Sequence, residues 1–223
     1  SNHFKIRKGD VEEGFKQADF IFEDEYYVPH MQHCPIEPHG TVACMDKTGK
    51  ITIYNCCQSP NATRKLLASA LNYPINKIRV IAPYVGGGFG GKAGATIEAL
   101  VVPLAMKVPG YYVSLIYNRE EEFRDTFVRQ GMKAYVKTGV TKEGKILAQE
   151  LKMIWDGGAY TEYGANITRA AGYTSGGPYE IPNMKTDSYC VYTNKPVGGP
   201  FRGFGMGELH WPWNSSWTKL LIN

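Results

Sequence analysis

Seven residues, Gly86-Gly87-Gly88-Phe89-Gly90-Gly91-Lys92, constrain this chain more than any other stretch. They follow an apolar, β-branched run, Ile78-Arg79-Val80-Ile81, and precede Ala93 to Met106, a segment rich in helix formers. The sequence therefore predicts a strand, a tight glycine turn and a helix. Five glycines around one phenylalanine let the backbone turn sharply and approach a ligand closely, because no Cβ intervenes and positive φ costs little. Amides at the start of the expected helix would face that ligand, and such a terminus favours anionic or electron-rich groups. The stretch reads as a cofactor cradle.

Two nucleotide cradles match it in part. Gly86, Gly88 and Gly91 satisfy G-x-G-x-x-G, but a dinucleotide site also needs an acidic residue about 20 positions on. Met106 and Lys107 stand there. Gly86 to Lys92 satisfies G-x-x-x-x-G-K, yet Ala93 follows where a P-loop needs Ser or Thr to hold magnesium. Met153-Ile154-Trp155-Asp156 resembles an acidic strand end, but apolar strands running into Asp-Gly turns are common without that role. Nucleotide binding by the Gly86–Lys92 loop stays as the lesser alternative.

The remaining composition narrows the class. With 223 residues, 43% hydrophobic and 21% charged, the chain can bury one sizeable core or two small ones. A net charge of +4 without a dense Lys/Arg run argues against a nucleic-acid surface. No apolar run approaches the roughly 20 residues of a membrane span, and no signal-peptide pattern opens the chain, so a reducing cytoplasmic setting is expected. The five cysteines, Cys34, Cys44, Cys56, Cys57 and Cys190, are an odd number without framework spacing, which fits free thiols. His30, His33, Cys34 and His39 lie close together, but Pro35 and Pro38 make the stretch extended and no second ligand pair follows at zinc spacing. Iron–sulfur spacings are absent.

In chain order, Ser1-Asn2 reads as an expression remnant. Asp10 is placed to cap a short helix, and Phe20 to Val28 alternates as a strand. Thr41 to Met45 and Lys50 to Cys57 form an expected hairpin across Asp46-Lys47-Thr48-Gly49. A helix is expected from Asn61 to Leu71, burying Leu66, Leu67, Ala70 and Leu71, with Pro74 beyond it. Tyr112 to Ile116 reads as a buried strand and Glu120 to Phe123 as a helical turn. Met132 to Val140 and Ile146 to Trp155 read as strands joined across Lys142-Glu143-Gly144-Lys145. Strands and helices interleave without a strict βαβ period, so the expected fold class is α+β, with mixed sheets and packed helices. The expected parts are 3–156 with the first cradle, a glycine-rich 157–210, and an atypical tail at 211–223.

Within 157–210 only Asp187 to Tyr192 looks like a plain strand. The dense signal there is Phe201-Arg202-Gly203-Phe204-Gly205, in which two aromatics, a cation and two glycines fall in five residues. Aromatics can sandwich a flat ring while glycines bring amides to a ligand. A turn with its phenylalanines packed in the core is an equal reading of this motif alone.

Taken together, Glu37-Pro38-His39, Gln58-Ser59-Pro60, Gly86 to Lys92, Arg119-Glu120-Glu121, Asp156-Gly157-Gly158-Ala159-Tyr160, Tyr179-Glu180-Ile181-Pro182-Asn183 and Phe201 to Gly205 carry a resemblance. From about Gly9 to His210 the chain resembles the molybdenum-binding large subunit of the xanthine dehydrogenase and aldehyde oxidase family. The resemblance implies the first molybdenum-cofactor-binding domain of an oxidoreductase. Its cofactor would be molybdopterin with molybdenum, the cytosine dinucleotide form included, and its reaction hydroxylation of an electron-poor carbon in an N-heterocycle or aldehyde. Electrons would leave through iron–sulfur clusters and FAD on partner chains or domains, alongside the remainder of the large subunit. In family terms Gln58, Gly87, Gly88, Phe89, Gly90, Arg202 and Gly203 would bind the cofactor, with Gln58, Phe89 and Arg202 at the molybdenum centre. Ala93, Arg169 and Phe204 would meet the substrate, Phe204 by stacking on its ring.

The departures also inform. Xanthine-oxidising members of the family carry a glutamate where this chain has Ala93, which cannot hydrogen-bond a purine. The family's general-base glutamate lies beyond the second cradle, so no residue here takes that catalytic role; Glu37 and Glu208 occupy other positions and read as structural or solvated. The chain alone is expected to be inactive, either a piece of a hydroxylase subunit or a non-catalytic binding module of the same fold. Past His210 the run Trp211-Pro212-Trp213-Asn214-Ser215-Ser216-Trp217 departs from the family's acidic amphipathic helix. Back-translation across Ser216 to Thr218 permits a Leu-Asp frame, so a shifted reading frame and a poorly packed tail are expected.

Overall fold

The structure, a computed structural model, describes the backbone of residues 2–222, with the side chains of 217 and 219–222 outside that description. In chain order run β1 (Asn2–Lys8), α1 (Val11–Lys16), β2 (Phe20–Val28), β3 (Gly40–Met45), β4 (Ile51–Asn55), α2 (Pro60–Ala70), β5 (Ile78–Ile81), α3 (Glu98–Lys107) and β6 (Tyr112–Ile116). There follow α4 (Arg119–Asp125), β7 (Val128–Arg129), β8 (Gly131–Val140), β9 (Ile146–Asp156), α5 (Gly164–Tyr173), β10 (Asn183–Val191), β11 (Gly198–Gly199) and α6 (Met206–Ile222). The fold class is α+β. No helix among the described residues is long and apolar enough to cross a membrane.

The chain forms two compact units. One comprises residues 1–31 and 128–223, and the other is the continuous segment 32–127. Residues 157–210 lie wholly inside the first unit, together with strands from both sides of position 156.

The first unit is built on a five-stranded sheet in the order β1-β10-β9-β8-β2. Only β9 and β10 run parallel, and a parallel pair needs a crossover, which the segment carrying α5 provides. Alternation along β9 sends Leu151, Met153 and Trp155 into a core with Ile167 and Ala171 of α5 and Leu209 and Trp213 of α6. Ala148, of opposite parity, packs with Val11 and Phe15 of α1. Asp10 caps α1 by accepting from the Glu13 amide at 3.0 Å. Asn2, read from the sequence as an expression remnant, opens β1 opposite Cys190, while Ser1 lies outside the described residues.

The second unit carries a sheet in the order β5-β4-β3-β6, with α2 and α3 packed on it. Ile51 and Ile53 of β4, Leu67 of α2, and Val101, Val102 and Ala105 of α3 form its centre. The β3–β4 turn is held by Asp46, whose carboxylate accepts from the amides of Thr48 at 2.8 Å and Lys50 at 3.0 Å. Asn118 and Glu121 cap α4 reciprocally.

Four expectations need correction. The helix expected directly after the cradle begins only at Glu98, so Ala93 to Ile97 form turns. Leu66 is exposed and Leu67 alone of the four expected apolar positions of α2 is fully buried, because the sheet covers one narrow stripe. The strand at Tyr112–Ile116 is a sheet edge with one exposed face. The tail continues as helix through Pro212, and Trp213 is 1% exposed, 4.9 Å from the Tyr179 ring. Burial of Trp213 overrides the proline's local preference.

Candidate functional site: two glycine loops

The first loop lies in the second unit, beyond β5. Its glycines serve their conformations: Gly87 and Gly90 sit at φ of 103° and 109°. Phe89, with φ of 55°, adopts a left-handed conformation that a non-glycine residue holds only under constraint, and the residue is 44% exposed.

Three anchors supply that constraint. Glu37 grips the first end, its amide donating to the Gly86 carbonyl at 3.1 Å while its carboxylate accepts from the Gly86 amide at 2.8 Å. The same carboxylate accepts from Lys92 Nζ at 2.8 Å, and Lys92 is 1% exposed. Burial pushes the Glu37 carboxyl up, but the Lys92 ammonium and the Gly86 amide outweigh it and hold the group below its usual range. Gln58 is the second anchor. Its Oε1 accepts from the amides of Gly90 at 2.8 Å and Lys92 at 3.2 Å, and its main-chain N–H donates to the Lys92 carbonyl at 2.8 Å. The third is His39, buried against Glu122 and reaching the Gly91 carbonyl.

What the anchors leave open is equally defined. The amides of Gly87, Gly88 and Phe89 donate to no described residue, and neither does Gln58 Nε2. Because Oε1 is held by two backbone donors, the orientation of the Gln58 amide is set and Nε2 is its outward donor. A Cβ at Gly88 would come within 2.5 Å of Gln58 Oε1. The arrangement offers unpaired donors to an electron-rich group approached closely by backbone. It is not a helix-terminus phosphate site, since the turns of Ala93 to Ile97 separate the loop from α3.

The second loop lies in the first unit and runs directly into α6. Gly203 and Gly205 have φ of 100° and 97°, with Phe204 between them at 48°. The loop closes by Phe204 N–H to the Phe201 carbonyl at 2.8 Å and Met206 N–H to Gly203 at 2.9 Å. Gly205 sits against α5, where an added Cβ would meet Ile167 and Ala171. The Phe204 ring is half-buried, edge-on to Tyr163 at 6.3 Å. The Arg202 side chain is exposed. Arg169 is also exposed, on the side of α5 turned away from Gly205.

Nothing in the sequence singles out Arg129, which organises this loop. It pairs with the buried Glu208 carboxylate, donates to the Arg202 carbonyl at 3.0 Å and lies 4.1 Å from the centre of the Phe201 ring. A lone arginine in a short strand carries no pattern. The pairing of His39 with Glu122 is hidden for a similar reason, the two being far apart in sequence. Among the described residues no group of three or more His, Cys, Asp or Glu is gathered for a metal ion, and His33 and His39 serve the first loop instead.

Over residues 1–215 the chain matches the family described as the molybdopterin cofactor-binding domain. It belongs to that family. It is 39% identical to the nicotinate dehydrogenase large molybdopterin subunit of Eubacterium barkeri, over 91% of this chain and 48% of that one. It is 32% identical to the xanthine dehydrogenase molybdenum-binding subunit of Escherichia coli O157:H7, over 90% of this chain and 27% of that protein. Among solved structures it superimposes on the aldehyde oxidoreductase of Desulfovibrio gigas with a TM-score of 0.87 at 33% identity, covering 92% of this chain and 22% of the enzyme. The chain thus spans half or less of these relatives. For a molybdopterin cofactor-binding domain the first loop is a chemical fit: its unpaired amides and the outward Gln58 Nε2 are donors, as a cofactor rich in acceptor atoms requires.

Proposed function

We propose that this chain seats molybdopterin for a molybdenum hydroxylase, with Gln58, Gly87, Gly88, Phe89 and Gly90 of the first loop and Arg202 and Gly203 of the second as its binding groups. The observation that carries the reading is Gln58, whose Oε1 is fixed by the Gly90 and Lys92 amides so that Nε2 is left to donate. Bound there, the cofactor supplies a molybdenum centre for hydroxylation of an electron-poor carbon. The protein's part is positional. Gln58 donates toward the metal centre, Phe89 and its glycines bring backbone amides close, and the exposed Arg202 guanidinium meets the cofactor's anionic part.

The substrate class we propose is an N-heterocycle other than a purine, with aldehydes as the wider class. Nicotinate, named in one relative, is such a ring. Ala93 offers no acid to read a purine, and Phe204 offers an aromatic face. Arg169, turned to the far side of α5, is left outside the proposed set. The general base, and the iron–sulfur and FAD groups that remove electrons, are proposed to come from the rest of the large subunit and its partners in the cytoplasm. The cytosine dinucleotide form of the cofactor belongs to the same proposal.

Gln58→Glu tests it. A carboxylate still accepts from Gly90 and Lys92 but no longer donates, so the loop should survive while molybdenum and pterin content of the native-source protein fall about tenfold. Unchanged content of both would refute the reading.

A further inference from the structure

The peptide between Gly91 and Lys92 is held from both of its polar ends. Its N–H donates to Gln58 Oε1 at 3.2 Å, and its carbonyl lies 3.2 Å from His39 Nε2. His39 is in turn fixed by Glu122, whose two carboxylate oxygens take His39 Nδ1 at 2.8 and 3.0 Å and the His39 amide at 2.9 Å. Both side chains are buried, 5% exposed for His39 and 1% for Glu122. Burial pushes the Glu122 carboxyl up, yet its bonds to His39 bring it below its usual range, so it stands as a carboxylate that can only accept. Nδ1 must then carry a hydrogen. Nε2 faces a carbonyl oxygen, which also only accepts, so a hydrogen bond there is donated by Nε2. Lys92 and Glu37 are the other charged groups close by.

We propose that Glu122 and His39 are positioning residues for Gln58, acting through the Gly91–Lys92 peptide. Rotation of that peptide would turn the Lys92 N–H away from Gln58 Oε1 and remove one of the two donors that set the direction of the Gln58 amide. The relay runs from α4 through His39 to the loop and ends at the outward Nε2. It rests on the reading of Gln58 as a cofactor-binding donor only for its purpose; the mechanical linkage stands on the hydrogen bonds alone. An acid–imidazole pair used merely to fill the interior would have no reason to place its second nitrogen on a loop carbonyl.

Replacing His39 by Asn removes the Nε2 position, whereas His39→Gln puts a side-chain N–H near it, and Glu122→Gln removes the charge that supports the second ring hydrogen. In the full chain, amide exchange at Gly90 and Lys92 should rise about tenfold in H39N and E122Q, with β3 and β4 protection unchanged, and H39Q should recover most of it. The side-chain NH2 resonances of Gln58 should move in H39N and return in H39Q. Wild-type exchange and Gln58 resonances in H39N would overturn the proposal. Should both damaging variants unfold, the wild-type imidazole decides: 15N resonances showing hydrogen on both ring nitrogens support the relay, and a bare Nε2 overturns it. Molybdenum and pterin content separates the two readings, because a loosened loop with undiminished cofactor keeps the relay and removes the cradle.

Discussion

Arg129 and Glu208 form the buried ion pair beneath the second loop, the glutamate 3% exposed. Burial raises the Glu208 carboxyl above its usual range even against the pull of Arg129. Arg129→Met would leave that carboxylate with no cation, and breaking a buried pair from one side costs about 3–5 kcal/mol. The cost has a pH signature. A carboxyl whose folded pKa is raised contributes most stability when protonated and loses it as pH climbs, and loss of the arginine raises it further. Urea unfolding should therefore show a larger deficit for R129M at pH 8 than at pH 5. Equal deficits would mean that the arginine acts through the Phe201 ring and the Arg202 carbonyl rather than through charge.

At the scale of elements, the connection from β9 into α5 holds a half-buried acid, Glu162. Burial pushes Glu162 up to about 7, only the Tyr163 amide opposes it, and Oε2 is enclosed with no partner among the described residues. The sign again follows from a raised folded pKa: stability is full below the ordinary carboxyl value and is lost as pH rises through about 7. Glu162→Gln should stabilise the protein at pH 8 by ~1 kcal/mol, after discounting for partial exposure, and leave it unchanged at pH 5. A thermal melt at the two pH values measures it. Elements whose cause is local were legible in the sequence, as with the Asp10 cap of α1, the Asp46 turn of the β3–β4 hairpin and the alternation of β8 and β9. Those with a distant cause were not. The helix α5 hides among glycines, and Gly164 is required there because a Cβ would meet Thr161, Gln130 and Cys190 from other elements. The polar strand β1 exists by pairing with β10, and α6 passes Pro212 because Trp213 fills the core. The two glycine loops were legible as loops, but the anchors Arg129, His39 and Glu122 show only once the chain is folded.

For the whole molecule, each unit has its own apolar centre, and all four tryptophans, at 155, 211, 213 and 217, fall in the first. Tryptophan fluorescence is thus a report on that unit. Ile53→Ala removes a fully buried side chain from the second unit and should cost about 2–4 kcal/mol there. Amide protection of β3 and β4 should fall while the fluorescence midpoint holds; a matching fluorescence shift would show that both centres melt together. The pairing of β2 with β8 carries a different consequence. The chain leaves the first unit at Met31 and re-enters beside the same residue, where the Arg129 amide donates to the Met31 carbonyl at 2.8 Å. On a ribosome β1 and β2 emerge early but have no partners until β8 to β10 are made, and residues 32–127 are synthesised in between. At roughly 5–20 residues per second that wait is on the order of ten seconds. The edge that β2 later gives to β8 is unpaired throughout it, as is the edge that β1 gives to β10, so both strands stay open to pairing with a neighbouring nascent chain until their partners are made.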